Sequence, residues 1–431
     1  MEYTTALDIG ERKREQGGIN EDSVAVTLLE EGHRDTERRS GVFVVADGAG
    51  GAQAGDVASY VASVEVSRRL TDRLWTERRL GEVTATGDAE GPGNASAGST
   101  GAGEEGRSGS TGLPELTEGV VGDPFAGADD AAVQAVIAAA VEAAHTRIVE
   151  VIGERDLDSA YSTVVVALVV GDRLHYGWVG DSRAYVVNLA PDRDEAQRVT
   201  RLTADHSEVA QLVDRGAIDE VEAHVHRRGN RITRALGGTR TENPATATVE
   251  VDTASVPLFG DDILLLTSDG LIDAYTGAPE LHREYEDADD TAEVAERILE
   301  KSVTDDEIGR VVREASSLSA AADRFVDLSN ERGGKDNLSL VLARDPDLPA
   351  APEGTLPVRT YDPDPEEVIE WDTVKQFPED DPEGTGADPE GETGAGTRPG
   401  GEAGTTEIPA DATGRGVEGD SSVETGADGE P

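Results

Sequence analysis

The sequence predicts an α+β fold in which two antiparallel β-sheets pack as a sandwich flanked by helices. Three observations carry this expectation. Seven short apolar runs read as strands, two of these runs meet at a two-residue turn, and the helical stretches stand apart from the strands. Strict alternation of strand and helix would have signalled a parallel, doubly wound sheet, and the chain lacks it.

The elements follow in order. Val24–Leu29 and Val42–Ala46 are the first strands. Val57, Tyr60, Val61 and Val64 then recur at helical spacing, as do Val133, Val136, Ile137, Val141, Ala144, Ile148 and Val151. Between them, Gly81–Gly122 is rich in Gly, Ser, Thr and Ala and offers no periodic apolar face, so it reads as a disordered insertion at about 81–122. Val164–Val170 and Arg173–Val179 flank Gly171-Asp172, a hairpin turn that makes them antiparallel. Arg183–Leu189, Ile263–Thr267 and Leu338–Ala343 complete the strands. One domain is expected over 1–345, with 346–431 an acidic, largely disordered tail whose Tyr361, Trp371 and Phe377 are scattered in solvent.

Charge limits what the chain can bind. Its 431 residues carry a formal net charge of −51, and about −31 remains when the tail is set aside. Nucleic acid and anionic membrane are poor partners for such a surface. Lysine occurs only 4 times, with arginine supplying the other bases, and an acid-coated domain of this kind suits a salt-rich cytoplasm where screening is strong. There is no cysteine, which excludes disulfides, thiolate catalysis and cysteine–zinc sites. No run is long enough to span a bilayer and the first residues lack a signal-peptide pattern, so a cytoplasmic monomer is expected.

With 89 acids, a single Asp is most simply surface charge. Four of them are out of place. Asp47-Gly48 and Asp269-Gly270 end apolar strands, Asp336 begins one, and Asp22 stands beside Glu21 just before another. A carboxylate at the buried end of a strand is costly without a counter-charge, and these four have no matching set of Lys or Arg nearby. Hard divalent cations with oxygen ligands, Mg²⁺ or Mn²⁺, would supply it. A glycine after the Asp lets the backbone turn and bring a carbonyl close. Two such cations sharing a water suit phosphoester hydrolysis without a phosphoenzyme.

Six motifs in one order then carry a resemblance. They are Asn20-Glu21-Asp22-Ser23, Asp47-Gly48-Ala49-Gly50-Gly51, Gly180-Asp181-Ser182-Arg183, Thr203-Ala204-Asp205-His206-Ser207, Ser268-Asp269-Gly270-Leu271 and Gly333-Gly334-Lys335-Asp336-Asn337, with Ser162-Thr163-Val164 among them. The set resembles the metal-dependent protein serine/threonine phosphatases of the PP2C type, in their bacterial and archaeal form, over roughly residues 5–343. The resemblance implies hydrolysis of phosphoserine and phosphothreonine in proteins that a Ser/Thr kinase has modified, with two Mn²⁺ or Mg²⁺ ions and a third beside them. It implies Asp47, Asp269 and Asp336 as the catalytic metal ligands, with the Gly48 carbonyl and Glu21 or Asp22 on the second ion. Asp181 and Asp273 would hold the third, and Leu212–Gly238 would form a flap over the site.

Two departures follow from the same resemblance. The family's phosphate-binding Arg position is Gly17 here, which makes Arg14, in the upstream Arg12-Lys13-Arg14 cluster, the phosphate-binding candidate. Ala49 stands where animal members have a general-acid His, which leaves His206 as the candidate acid. Two other readings stay open on the residues: a non-catalytic phosphoprotein- or kinase-binding module, and a small-molecule phosphatase.

Overall fold

Val164–Val170 (strand β6) is buried at every position, as a strand covered on both faces must be. Alternation sorts its side chains: Val164, Val166, Leu168 and Val170 face a helical layer, while Val165, Ala167 and Val169 face a second sheet. Thr36–Ala46 (β3) beside it divides the same way, with Val42 and Val44 on the helix side and Phe43 and Val45 toward the sheet. These two strands fix the layering of the molecule. The structure, a computed structural model, describes residues 1–361 apart from 34–35, 51–53, 85–128, 192, 194–197, 274 and 289.

Among the described residues the strands form two five-stranded sheets and one of three strands, all antiparallel. The first sheet runs β11 (Asp252–Pro257), β7 (Arg173–Val179), β6, β3 and β2 (Ser23–His33). The second runs β1 (Glu2–Asp8), β13 (Leu338–Arg344), β12 (Asp262–Thr267), β8 (Arg183–Asn188) and β9 (Val199–Arg201). A short third sheet, β10 (Leu236–Thr239), β5 (Ser159–Ser162) and β4 (Gly48–Ala49), joins one end of the sandwich.

Helices α2 (Ala54–Thr84) and α3 (Asp130–Glu154) cover the outer face of the first sheet. Helices α8 (Asp305–Glu314) and α9 (Leu318–Glu331) cover the second. The remaining helices are α1 (Glu11–Glu15), α4 (Glu208–Asp214), α5 (Glu220–Ala223), α6 (Ala278–Asp287) and α7 (Ala292–Lys301). The sandwich expected from the strand pattern is therefore observed, and all seven expected strands are present. Gly171 turns the β6–β7 hairpin with φ +58°. None of the described helices is long and apolar enough to cross a membrane.

Two boundaries differ from expectation. Helix α2 continues to Thr84, so residues 81–84 of the expected insertion are helical, while 85–122 lie outside the described residues. The tail expected from 346 begins by packing on the domain, which corrects that assignment for residues 346–361. Leu348 and Tyr361 join the inter-sheet core. Arg193 donates to the carbonyls of Pro352 and Gly354. Arg359 is buried 3.0 Å from Asp262 with its guanidinium over the Phe259 ring, and Tyr361 meets Trp178 edge-on. Composition misses this because one buried Arg and one Tyr anchor an otherwise polar segment. Trp371 and Phe377 lie outside the described residues.

Candidate active site

Strand ends and short loops at one rim of the sandwich bring the singled-out acids together. Asp47 follows β3, and its backbone is gripped by Thr163: the Asp47 N–H donates to Thr163 Oγ1 at 3.1 Å, and the Thr163 N–H donates to the Asp47 carbonyl at 2.8 Å. Thr163 Oγ1 also shares a 2.7 Å hydrogen bond with Ser182 Oγ, tying Asp47 to the loop that presents Asp181. Ser268, at the end of β12, donates to Asp22 Oδ2 at 2.8 Å and accepts the Ser339 N–H at 2.9 Å. Asp269 follows directly and opens a 3-10 turn, Asp269–Leu271, with the Asp273 N–H bonded back to the Asp269 carbonyl.

The glycines after Asp47 and Asp269 serve close approach rather than an unusual φ. A Cβ on Gly270 would stand 1.8 Å from the Asn337 carbonyl oxygen, and one on Gly48 would stand 2.1 Å from the Gly55 carbonyl oxygen. The loop carrying Asp336 therefore packs directly on the turn carrying Asp269, and α2 starts against the Gly48 backbone.

Asn337 is the residue that sequence reasoning left without a role. Its Oδ1 accepts the Glu21 N–H at 2.8 Å and the Lys13 ammonium at 2.9 Å, and its Nδ2 donates to the carbonyls of Ile9 and Ile19. One amide thus joins the Asn20–Asp22 loop, α1 and the start of β13.

The acids repel one another. Asp22, Asp47 and Asp269 keep a little surface open to solvent, yet protein surrounds them densely enough that burial is the largest influence on each. Burial raises Asp47 well above the ordinary carboxylate range, and the charges of Asp22, Asp269, Asp336 and Asp181 push it further. Asp269 rises for the same reasons, with Asp181, Asp336 and Asp273 adding to burial. Asp22 reaches about 6, burial outweighing its hydrogen bonds from Ser268 and Ser339. Asp181 reaches about 7, through burial and then Asp205 and Asp273. Asp22 Oδ1 and Asp269 Oδ1 are buried with no hydrogen-bond partner. A Cβ on Gly55 would meet both Glu21 Oε1 and the Gly48 carbonyl oxygen within 2.9 Å, so these two oxygens face the same space. Unpartnered, mutually repelling oxygens are what a hard divalent cation satisfies, and the donor set fits one.

Two expected site residues are elsewhere. Arg14 is half exposed and bonded to Asp8 Oδ2 at 2.8 Å. The reason is that residues 11–15 form a helical turn, and successive side chains there point about 100° apart. Lys13 takes the inward direction. Its ammonium lies 2.8 Å from Asp336 Oδ1 and 3.3 Å from Glu21 Oε2, and its stem runs past Gly18, where a Cβ would stand 2.6 Å away. Burial pushes the Lys13 pKa down, but Asp336 above all, with Glu21 and Asp47, holds it well above the ordinary value.

His206 is likewise closed off. Its Nδ1 accepts the Gly180 N–H at 3.0 Å, its Nε2 lies 3.3 Å from Asp252 Oδ2, and its ring stacks on Trp178. Burial lowers its pKa. It braces the loop behind Asp181 and has no free nitrogen to present. Arg183 does similar work, pairing with Asp205 through Nε and Nη2 at 3.0 and 2.6 Å. In the expected flap, Asn230 Oδ1 accepts Lys335 Nζ at 2.9 Å, and Gly229 lies against Asp273.

This fold with an acid cluster at one rim of its sandwich defines a class, and comparison with known proteins names it. The model of the protein phosphatase 2C family matches residues 9–311, and the chain belongs to that family. It is 31% identical over 189 residues to a serine/threonine phosphatase stp of Listeria welshimeri, a match covering 44% of this chain and 58% of the relative. It is 31% identical over 206 residues to the serine/threonine protein phosphatase PstP of Mycobacterium tuberculosis, covering 48% of this chain and 32% of that one. The chain thus spans about half the length, or less, of these curated relatives. Among solved structures, a serine/threonine phosphatase from Staphylococcus aureus shares the fold, with TM-score 0.50 and 21% identity over 80% of this chain and 95% of that one.

Proposed function

We propose that the chain hydrolyses phosphoserine and phosphothreonine esters in proteins, using two divalent cations, Mn²⁺ or Mg²⁺, and a third nearby. The observation that carries this is the convergence of Asp22, Asp47, Asp269 and Asp181, with no arginine paired to them among the described residues, around unpartnered buried oxygens. In this reading Asp47, Asp269 and Asp336 would hold one ion, and Asp47, the Gly48 carbonyl and Glu21 would hold the other. Asp22 stands behind them, held by Ser268, and Asp181 and Asp273 serve the third ion. When bound, such ions lower the pKa of a water and stabilise charge on the phosphoryl oxygens.

The chain's own groups orient the substrate. Lys13, at the edge of the acids and protonated, offsets part of the charge that a dianionic phosphate meets there and takes the role expected of Arg14. Flap residues Gly229 and Asn230, adjoining Asp273 and Lys335, form one wall for the protein substrate. The relatives, serine/threonine phosphatases, support phosphorylated proteins as the substrate class, and the phosphate on them would come from a Ser/Thr kinase. A cytoplasmic monomer remains the working form.

The test is release of phosphate from a phosphothreonine peptide and from a chromogenic ester at high salt, with Mn²⁺, with Mg²⁺ and with chelator. Hydrolysis of the peptide that stops with chelator and returns with either ion is the expected result. Peptide hydrolysis that persists in chelator would sink the reading, and turnover confined to the small ester would transfer the substrate to the small-molecule class.

A further inference from the structure

Three side chains where the flap meets α6 have no part in the chemistry above. Glu222 lies on α5, His226 follows it in the flap loop, and His282 lies on α6. One ligand atom from each lies within 4.8 Å of the others. Glu222 Oε1 and His282 Nε2 are 3.4 Å apart, close to the ~3.3 Å edge of a tetrahedron with ~2.0 Å metal bonds. The two imidazoles meet edge to face with centroids 4.9 Å apart.

A second observation points to a ligand. His282 is only 2% exposed, and its Nε2 is buried without a hydrogen-bond partner, an arrangement native structures rarely leave unexplained. Its Nδ1 lies 3.6 Å from Glu286 Oε2, beyond hydrogen-bond distance but on the side where the carboxylate's charge favours a proton on Nδ1. That tautomer turns the Nε2 lone pair toward Glu222 and His226, as carboxylate-oriented metal ligands are turned. Arg228, a flap cation two residues after His226, is engaged elsewhere, since it pairs with Glu208. His226 Nδ1 accepts the Arg228 N–H at 3.2 Å. Ligation through Nδ1 displaces that contact directly; ligation through Nε2 moves the ring proton to Nδ1 and ends it as well.

We propose that Glu222, His226 and His282 form a separate transition-metal site that takes Zn²⁺ or a similar borderline ion and fastens the flap to α6. Two imidazoles and one carboxylate select such ions, whereas the all-oxygen acid cluster selects Mg²⁺ and Mn²⁺. The ion would hold the loop that places Gly229 against Asp273 and Asn230 on Lys335. The binding claim does not depend on the phosphatase reading.

The test uses the full chain, stripped with chelator and titrated with Zn²⁺ in excess Mg²⁺ by calorimetry, with thermal unfolding followed in parallel. One Zn²⁺ per chain and a raised Tm are expected, and Co²⁺ in its place should give the visible bands of a low-coordinate site. Because His282 is buried, partly exposed His226 is the primary variant. His226→Ala should weaken Zn²⁺ at least about tenfold and remove the gain in Tm, and Glu286→Gln should weaken it up to about tenfold. Asp47→Asn should keep the Zn²⁺. Absence of Zn²⁺ binding, equal affinity in wild type and His226→Ala, or loss of the ion with Asp47→Asn would each overturn the proposal.

Discussion

Asp205, Asp252 and Asp262 each lie within the fold against a guanidinium, from Arg183, Arg234 and Arg359 respectively. Asp22, Asp47, Asp181 and Asp269 lie at the rim of the same sheets, and among the described residues none of them has an arginine ion pair; the lysine that enters the rim, Lys13, is bonded to Asp336 and Glu21. The pKa directions part accordingly. Burial pushes Asp205 up as it does the rim acids, but Arg183 brings Asp205 below its ordinary value, while at the rim burial and neighbouring charge outweigh the groups that oppose them. In a chain this acidic, position in a strand does not separate function from structure. The identity of the counter-charge does: arginine marks an acid that holds the fold, and its absence marks one that awaits a ligand.

The comparison breaks most visibly under neutralisation. Asp47→Asn should lower turnover by about a thousandfold or more, on the order of 4 kcal/mol of transition-state stabilisation. In chelator the same variant should unfold at or above the wild-type temperature, because it removes one of several repelling charges. Arg359→Ala should do the reverse, costing on the order of 3 kcal/mol of stability by leaving Asp262 buried without its cation, with turnover per folded molecule kept. Calorimetry and phosphate release on both variants check this. A stability loss in Asp47→Asn as large as that in Arg359→Ala would erase the distinction between the two sets.

Acid should act on the paired set with a definite sign. Burial tends to raise Asp252, but hydrogen bonds and charge from His206 and Arg234 bring it from an ordinary 3.8 down to about 2. A depressed folded-state pKa gives stability that is present above the unfolded value and is lost as pH falls through the folded one. Asp252 therefore contributes about 2 kcal/mol at neutral pH, lost between roughly pH 4 and 2. Arg234→Ala should flatten that part of the stability profile, and an unchanged slope would show that Asp252 is held by something other than its partner.

The sequence was most legible where one strand served two layers. Fully apolar Val164–Val170 and the Gly171-Asp172 turn announced a covered antiparallel sheet. Strand β1 went unread because its half-exposed EYTTALD pattern carries little contrast between its faces. Helices α6 to α9 are amphipathic, but their charged faces merged with the acidity of the whole chain. The acids at strand ends were legible from the mismatch between an apolar run and the carboxylate ending it. Asn337 was not, since its role depends on four partners, Ile9, Lys13, Ile19 and Glu21, from an N-terminal stretch more than 300 residues away in sequence. Lys13 carried a usable signal in its rarity, as one of 4 lysines in a chain that otherwise chooses arginine.

The smallest expected effect sharpens the comparison at its one mixed point, where a cation does enter the rim. Lys13 and Arg14 are adjacent, yet α1 sends one ammonium toward Asp336 and the other guanidinium back to Asp8. A lysine suits the inward position because its compact ammonium reaches Asp336, Glu21 and Asn337 together and can exchange one of them for a phosphate oxygen. Lys13→Met keeps the stem that packs beside Gly18 and removes only the charge. It should raise KM for a phosphothreonine peptide about fivefold, ~1 kcal/mol, with a smaller change in kcat. Arg14→Ala severs an exposed pair and should change stability by less than about 0.5 kcal/mol and KM not at all. Steady-state kinetics on the two variants decide between them, and a larger KM effect from Arg14 would mean that α1 turns when the substrate arrives.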